Sequence, residues 1–167
     1  MHKTIFSITI LALLALNLNA AALLAQTDFS GIWKLDAAKS TGLPPGMEQT
    51  MTVALTGETL KIETVVKGTP QGNITVADSY VLDGKENDFK PANAPNGKGK
   101  RTARWNADKS GIEVTEKAEV ETPDGGTAVI EATRKWTLPA DSRTLTIEMK
   151  VKSPQGEQET KRIFVKQ

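Results

Sequence analysis

The sequence predicts an all-β protein, a single antiparallel up-and-down β-barrel of about eight to ten strands spanning residues 26–167. Three observations predict it. Short runs of alternating apolar and polar residues recur along the chain, as a strand with one buried face requires. Glycine, proline, asparagine and aspartate cluster between those runs, which is turn chemistry. No stretch after residue 26 carries a helical period.

The runs follow in order. Phe29 to Leu35 opens the series. Met51-Thr52-Val53-Ala54-Leu55 alternates and turns at Thr56-Gly57-Glu58. Leu60-Lys61-Ile62-Glu63 alternates again and closes at Lys67 to Gly72. Ile74 to Leu82 leads into Asp83-Gly84, a dipeptide that predicts a tight hairpin. Ile112 to Glu116 runs toward Pro123-Asp124-Gly125-Gly126, and Val129 to Leu138 toward Pro139-Ala140-Asp141-Ser142. Leu145 to Val151 turns at Ser153-Pro154-Gln155-Gly156, and Glu159 to Lys166 ends the series. Mostly tight connections favour simple up-and-down order over a Greek key. Two segments break the rhythm: Asp36 to Glu48, a proline-containing loop with one helical turn at Asp36–Lys39, and the polar loop Lys90 to Lys100.

Ahead of the barrel, Met1-His2-Lys3 is basic, Ile5 to Leu16 is nearly all apolar, and small residues follow at Ala20, Ala21, Ala22 and Ala25. That order predicts a secretory signal peptide over residues 1–25, too short to span a bilayer, and hence a periplasmic or secreted mature chain. With no cysteine in the sequence there are no disulfides and no acceptor for a lipid anchor, so stability rests on the core. The single histidine lies inside the predicted leader. Without His or Cys the mature chain lacks the usual zinc ligands, a haem histidine and a Ser-His-Asp triad. Neither a cofactor, a metal nor a catalytic group is therefore expected. Removal of residues 1–25 takes away Lys3 and leaves a formally neutral chain, without the basic footprint of a nucleic-acid or anionic-membrane binder.

The opening strand carries a familiar motif. Gly31-Ile32-Trp33 resembles the start of lipocalins, and Phe29-Ser30-Gly31-Ile32-Trp33-Lys34-Leu35 is similar to the start of intracellular fatty-acid-binding proteins. The resemblance implies a lipocalin-like, calycin-type barrel in which Gly31 and Trp33 plug the closed end. Thr160 to Lys166 resembles the last strand of the fatty-acid-binding proteins, where an Arg-x-Tyr pair holds the ligand carboxylate. Arg162 matches that arginine, and Phe164 stands in the tyrosine's place. The resemblance also offers Arg162 a structural role, stacked as a cation on the opening tryptophan.

Alternation assigns the faces. Leu145, Ile147, Met149 and Val151 point inward, as do Leu60 and Ile62. Four charges fall on the inward parity: Arg134 with Trp136, Glu116 with Val114, Asp78 with Tyr80, and Arg101 with Trp105. An inward charge is costly unless paired or hydrated. Either these arginines meet an acidic or polar ligand, or they are satisfied internally by Glu116 and Asp78. The ligand-binding set is thus Arg134, Arg162, Arg101, Trp105, Trp136, Tyr80, Glu116 and Asp78, with Phe89 beside them.

The leading functional expectation is an exported, non-enzymatic protein that holds a small hydrophobic or amphipathic molecule inside the barrel. The alternative is a ligand-free module acting through its surface in envelope structure or protein recognition. A third reading makes Asp78 and Glu116 an acid/base pair of a carboxylate enzyme.

Overall fold

The computed structural model describes residues 26–69, 72–92, 94, 96–122, 124–139 and 143–167. The predicted signal peptide lies outside the described residues, as does the centre of the Pro139–Ser142 turn. Ten strands follow one another: β1 Gly31–Leu35, β2 Glu48–Thr56, β3 Thr59–Thr69, β4 Gly72–Val81, β5 Asp83–Phe89, β6 Lys98–Trp105, β7 Gly111–Glu121, β8 Thr127–Thr137, β9 Thr144–Ser153 and β10 Gly156–Lys166. They form one antiparallel sheet in the order β4-β3-β2-β1-β10-β9-β8-β7-β6-β5. Every neighbour is a sequence neighbour except β1 and β10, which join the two chain ends and curl the meander into a nearly closed barrel.

The outer strands of that order are β4 and β5, consecutive in sequence yet not paired. The hairpin predicted at Asp83-Gly84 therefore does not form. Leu82 is the only residue between the two strands; it is buried, and its N–H donates to the Glu58 carbonyl at 2.7 Å. This anchors the chain to the β2–β3 hairpin. The Asp-Gly chemistry is spent one step later. Gly84 takes a φ of 72°, and Asp83 accepts the Lys85 N–H at 2.9 Å, within an irregularity of the β5–β6 ladder between Asp83 and Glu86. The same aspartate and glycine make a bulge as readily as a two-residue turn.

One end of the barrel is solid. Phe29, Trp33, Leu60, Val114, Leu145 and Phe164 are completely or almost completely removed from solvent. Each such side chain contributes about 1.5–3 kcal/mol by leaving water. The Trp33 indole Nε1–H donates to the Phe29 carbonyl at 2.9 Å, so this apolar plug keeps its one polar atom satisfied. Gly31 has a φ of 139°, and a Cβ there would meet Lys166 Cε at 2.8 Å. Glycine at this position lets the Lys166 chain lie across the strand and bring its ammonium 5.3 Å from the Trp33 ring centre. The cation over the opening tryptophan is thus Lys166, which corrects the stacking role offered to Arg162.

Away from the plug, inward side chains such as Val66, Val76, Ala132, Met149 and Val151 are only half-buried. The segment Asp36–Met47 forms hydrogen-bonded turns in place of the expected helical turn: Lys39 N–H to the Asp36 carbonyl and Ser40 N–H to the Ala37 carbonyl. It fastens to β10 through Thr41 and Lys161, and Leu43 packs on the core.

Candidate functional site

Between the solid end and the half-buried end, the inward parity carries the charges anticipated from sequence. Register explains the gathering. Arg101 on β6 pairs with Glu116 on β7, and Arg134 on β8 lies one inward step from Glu116's partner Ala132. On β4, Asp78 and Tyr80 follow each other on the same face. The barrel's curvature brings β4 alongside β6 without any backbone pairing.

Arg101 is the hub. Its Nη1 donates to Asp78 Oδ1 at 2.6 Å and to the Ser79 carbonyl at 3.3 Å, and its Nε lies 3.5 Å from Glu116 Oε1. Its guanidinium carbon stands 4.8 Å from the Tyr80 ring centre and 4.0 Å from that of Phe89. Phe89 reaches this position because it lies directly over Gly99, where any Cβ would collide with the ring. Glu116 also accepts from Arg134 Nη1, and Tyr80 Oη donates to Asp78 Oδ2 at 2.8 Å. With both side chains only 9 % and 8 % exposed, Arg101 and Glu116 are charges in a poorly hydrated layer.

Electrostatics follow from that burial. Burial pushes the Tyr80 phenol well above its ordinary pKa; Arg134 opposes the shift, while Asp78 and Glu116 add to it. Burial also works against the charge on Arg134, but Tyr80, Glu116 and Asp78 outweigh it and leave its pKa raised.

Arg162 stands differently. Its Nη1 donates to the neutral amide oxygen of Gln49 at 3.1 Å, and its Nε is buried without a hydrogen-bond partner among the described residues. Burial lowers its pKa, and the neighbouring Arg134 lowers it further. The layer therefore holds three guanidinium groups (Arg101, Arg134, Arg162) against two carboxylates, Asp78 and Glu116. The excess positive charge rests on Arg162.

Internal pairing thus accounts for Arg101 and Arg134, one of the two readings the sequence left open. Asp78 and Glu116 do not face each other as an acid/base pair; Arg101 stands between them. Trp105 and Trp136 are placed around Phe29, their ring centres 5.8 and 6.2 Å from its own, within the aromatic packing of the solid end. Tyr80 belongs to the charged layer. Gln49 was missed from sequence, although it sits on the inward parity of Met51 and Val53 and the rule that found Arg134 applies to it equally.

An open groove of about 760 Å³ lies beside the unpaired edges of β4 and β5, lined largely by outward-facing residues of β2, β3 and β4. Ala54, Ala77 and Val81 line one side, and Phe89, Arg101 and Ala103 the other. Its size falls in the ~300–1,000 Å³ range of small-molecule sites. Among the described residues, no group of three His, Cys, Asp or Glu side chains is arranged to hold a metal ion, and no helix is long and apolar enough to cross a membrane.

No protein-family model matches the sequence, and no curated protein matches it. Solved structures do resemble the fold. Zebrafish ileal bile acid-binding protein, crystallised with cholic acid, superposes with a TM-score of 0.53 at 14 % identity, over 83 % of this chain and 98 % of that one. Lipid binding protein 8 of Caenorhabditis elegans gives 0.47 at 14 % identity, over 83 % of this chain and 95 % of that one. The fold of this chain is the all-β, calycin-type barrel anticipated from its opening strand.

Proposed function

We propose that the protein is an exported carrier that holds a small amphipathic acid inside the barrel. Its apolar body lies among the half-buried side chains, and its acid group meets Arg162. One observation carries the reading: a buried guanidinium with a neutral partner, an unused Nε–H and a second arginine beside it. Placing an anion there relieves the repulsion from Arg134 and supplies the charge-assisted hydrogen bond that Gln49 does not. The resemblance in fold to a protein crystallised with cholic acid, itself an amphipathic acid, supports the chemical class. Export rests on the leader-like residues 1–25.

The test is equilibrium titration with a fluorescent amphipathic acid and with the corresponding alcohol. The native protein binds the acid at least about tenfold more tightly than the alcohol, a difference of about 1.4 kcal/mol. Arg162→Met removes that preference and leaves the alcohol's affinity nearly unchanged. Equal affinity of the native protein for acid and alcohol removes Arg162 from the site.

A further inference from the structure

We infer that the ligand carries a second oxygen on its body, a hydroxyl or a carbonyl, and that the Trp136 indole N–H binds it; this inference rests on the binding function proposed above. Four side-chain polar atoms are buried without a hydrogen-bond partner among the described residues: Arg101 Nε, Trp136 Nε1, Thr160 Oγ1 and Arg162 Nε. All four belong to side chains on the inward parity of their strands. Arg101 Nε has the Glu116 carboxylate 3.5 Å away. Trp136, Thr160 and Arg162 are left. Native proteins satisfy nearly all their buried polar groups, because an unbonded one forfeits its hydration for nothing. Three orphans in one region mark where the working protein bonds something else.

Register gathers them. On β9, Ile147 has Trp136 of β8 on one side and Arg162 of β10 on the other. One inward step toward the half-buried end, Met149 lies between Arg134 and Thr160 in the same way. The orphans thus frame an apolar patch made by Ile147 and Met149. Thr160 and Arg162 stand two residues apart on one strand, so both face the ligand's acid group. Trp136 lies across the patch, two strand spacings or about 10 Å from Arg162 between backbones. It therefore meets a different part of the same molecule. An indole N–H donates and never accepts, so its partner is an oxygen acceptor.

The contrast with Trp33 sharpens the point. Both indoles belong to the packing around Phe29, and the Trp33 N–H is bonded to the Phe29 carbonyl at 2.9 Å. Trp136 meets the Phe29 ring edge-on, with ring centres 6.2 Å apart, and its N–H is left over. The ring of Trp136 is fixed by the solid end, while its row, through Ile147 to Arg162, borders the half-buried one. A saturated chain with a single acid group leaves that donor unbonded, and a hydroxy or oxo acid bonds it. The class assigned is an oxygenated amphipathic acid.

Two isomeric probes separate this contact from mere polarity: 10-hydroxyoctadecanoic acid, with its hydroxyl far along the chain, and 2-hydroxyoctadecanoic acid, with it beside the carboxyl group. Competition against 8-anilinonaphthalene-1-sulfonate, a fluorescent amphipathic anion, gives both affinities. The native protein is expected to bind the 10-hydroxy isomer at least about fivefold more tightly, the worth of one net hydrogen bond. Trp136→Phe keeps an aromatic ring against Phe29 and is expected to bind the two isomers within about twofold of each other. Nuclear magnetic resonance of the native protein gives a second readout, with the Trp136 indole proton assigned by elimination among the three tryptophans. That proton is expected to move downfield with the 10-hydroxy isomer and to stay in place with the 2-hydroxy isomer. Equal affinities of the native protein for the two isomers, or an indole proton that answers both alike, overturn the Trp136 contact and leave the acid site standing. Failure of the native protein to bind either isomer or the dye overturns the barrel site and the contact with it.

Discussion

Asp78 on β4 and Arg101 on β6 meet at 2.6 Å where the two ends of the sheet come together without a backbone ladder. The pair closes the barrel with side chains where hydrogen-bonded strands close it elsewhere. On the interior side it continues into Glu116 and Arg134. The wall of the molecule and its charged layer are therefore one connected structure.

Glu116 holds two arginines, so its loss leaves both short of a counter-charge. Glu116→Gln is expected to lower stability by about 3 kcal/mol, as breaking a buried ion pair from one side does. Replacing Glu116 and Arg134 together by leucine and methionine recovers most of that loss. Urea unfolding of the three proteins checks this, and a double variant no better than Glu116→Gln contradicts it.

Tyr80 is the only tyrosine, so phenolate absorbance reports on it alone. Its pKa is raised in the folded state from an ordinary value of 10.0. The stability contributed by the neutral phenol is therefore complete below pH ~10 and is lost as pH rises toward the folded value. Alkaline titration should show no phenolate until the barrel unfolds, whereas the urea-unfolded chain titrates normally. Tyr80→Phe should cost about 1 kcal/mol near neutrality through the lost bond to Asp78, and its deficit should shrink above pH ~10. Phenolate appearing in the folded protein near pH 10 contradicts the assignment.

Gly31 combines a φ of 139° with the close approach of Lys166. The lysine end is flexible and the backbone angle is not. Gly31→Ala is expected to cost about 1–2 kcal/mol in thermal unfolding, nearly all of it backbone strain. Adding Lys166→Ala to Gly31→Ala should recover little. Full recovery would place the cost in the side-chain contact instead.

Much of this was legible in the sequence because alternation with period two is a direct record of a one-sided strand. It set the meander and the inward charges Asp78, Arg101, Glu116 and Arg134, while the plug at Trp33 was read from the resemblance of the opening motif. Strand β5 left no such record. Asp83 to Phe89 reads DGKENDF, with Phe89 as its one large apolar side chain, because an edge strand is kept polar and charged against unwanted pairing. The same edge position explains why Asp83-Gly84 misled: nothing local distinguishes a hairpin from a bulge beside an unpaired strand. Which charges would meet was also hidden, since Asp78 and Arg101 lie 23 residues apart and are joined by barrel closure alone. Lys166 took the place over Trp33 because the β1–β10 register sets it opposite that residue, and register between chain ends leaves no local mark.

The most direct test of the central claim is native mass spectrometry of the mature protein, purified without detergent and compared before and after solvent extraction. The account predicts an added mass that extraction removes and that proves to be an amphipathic acid, and predicts that Arg162→Met purifies with less of it. A bare chain mass in every preparation, together with no adduct when a long-chain carboxylic acid is supplied in excess, would contradict it.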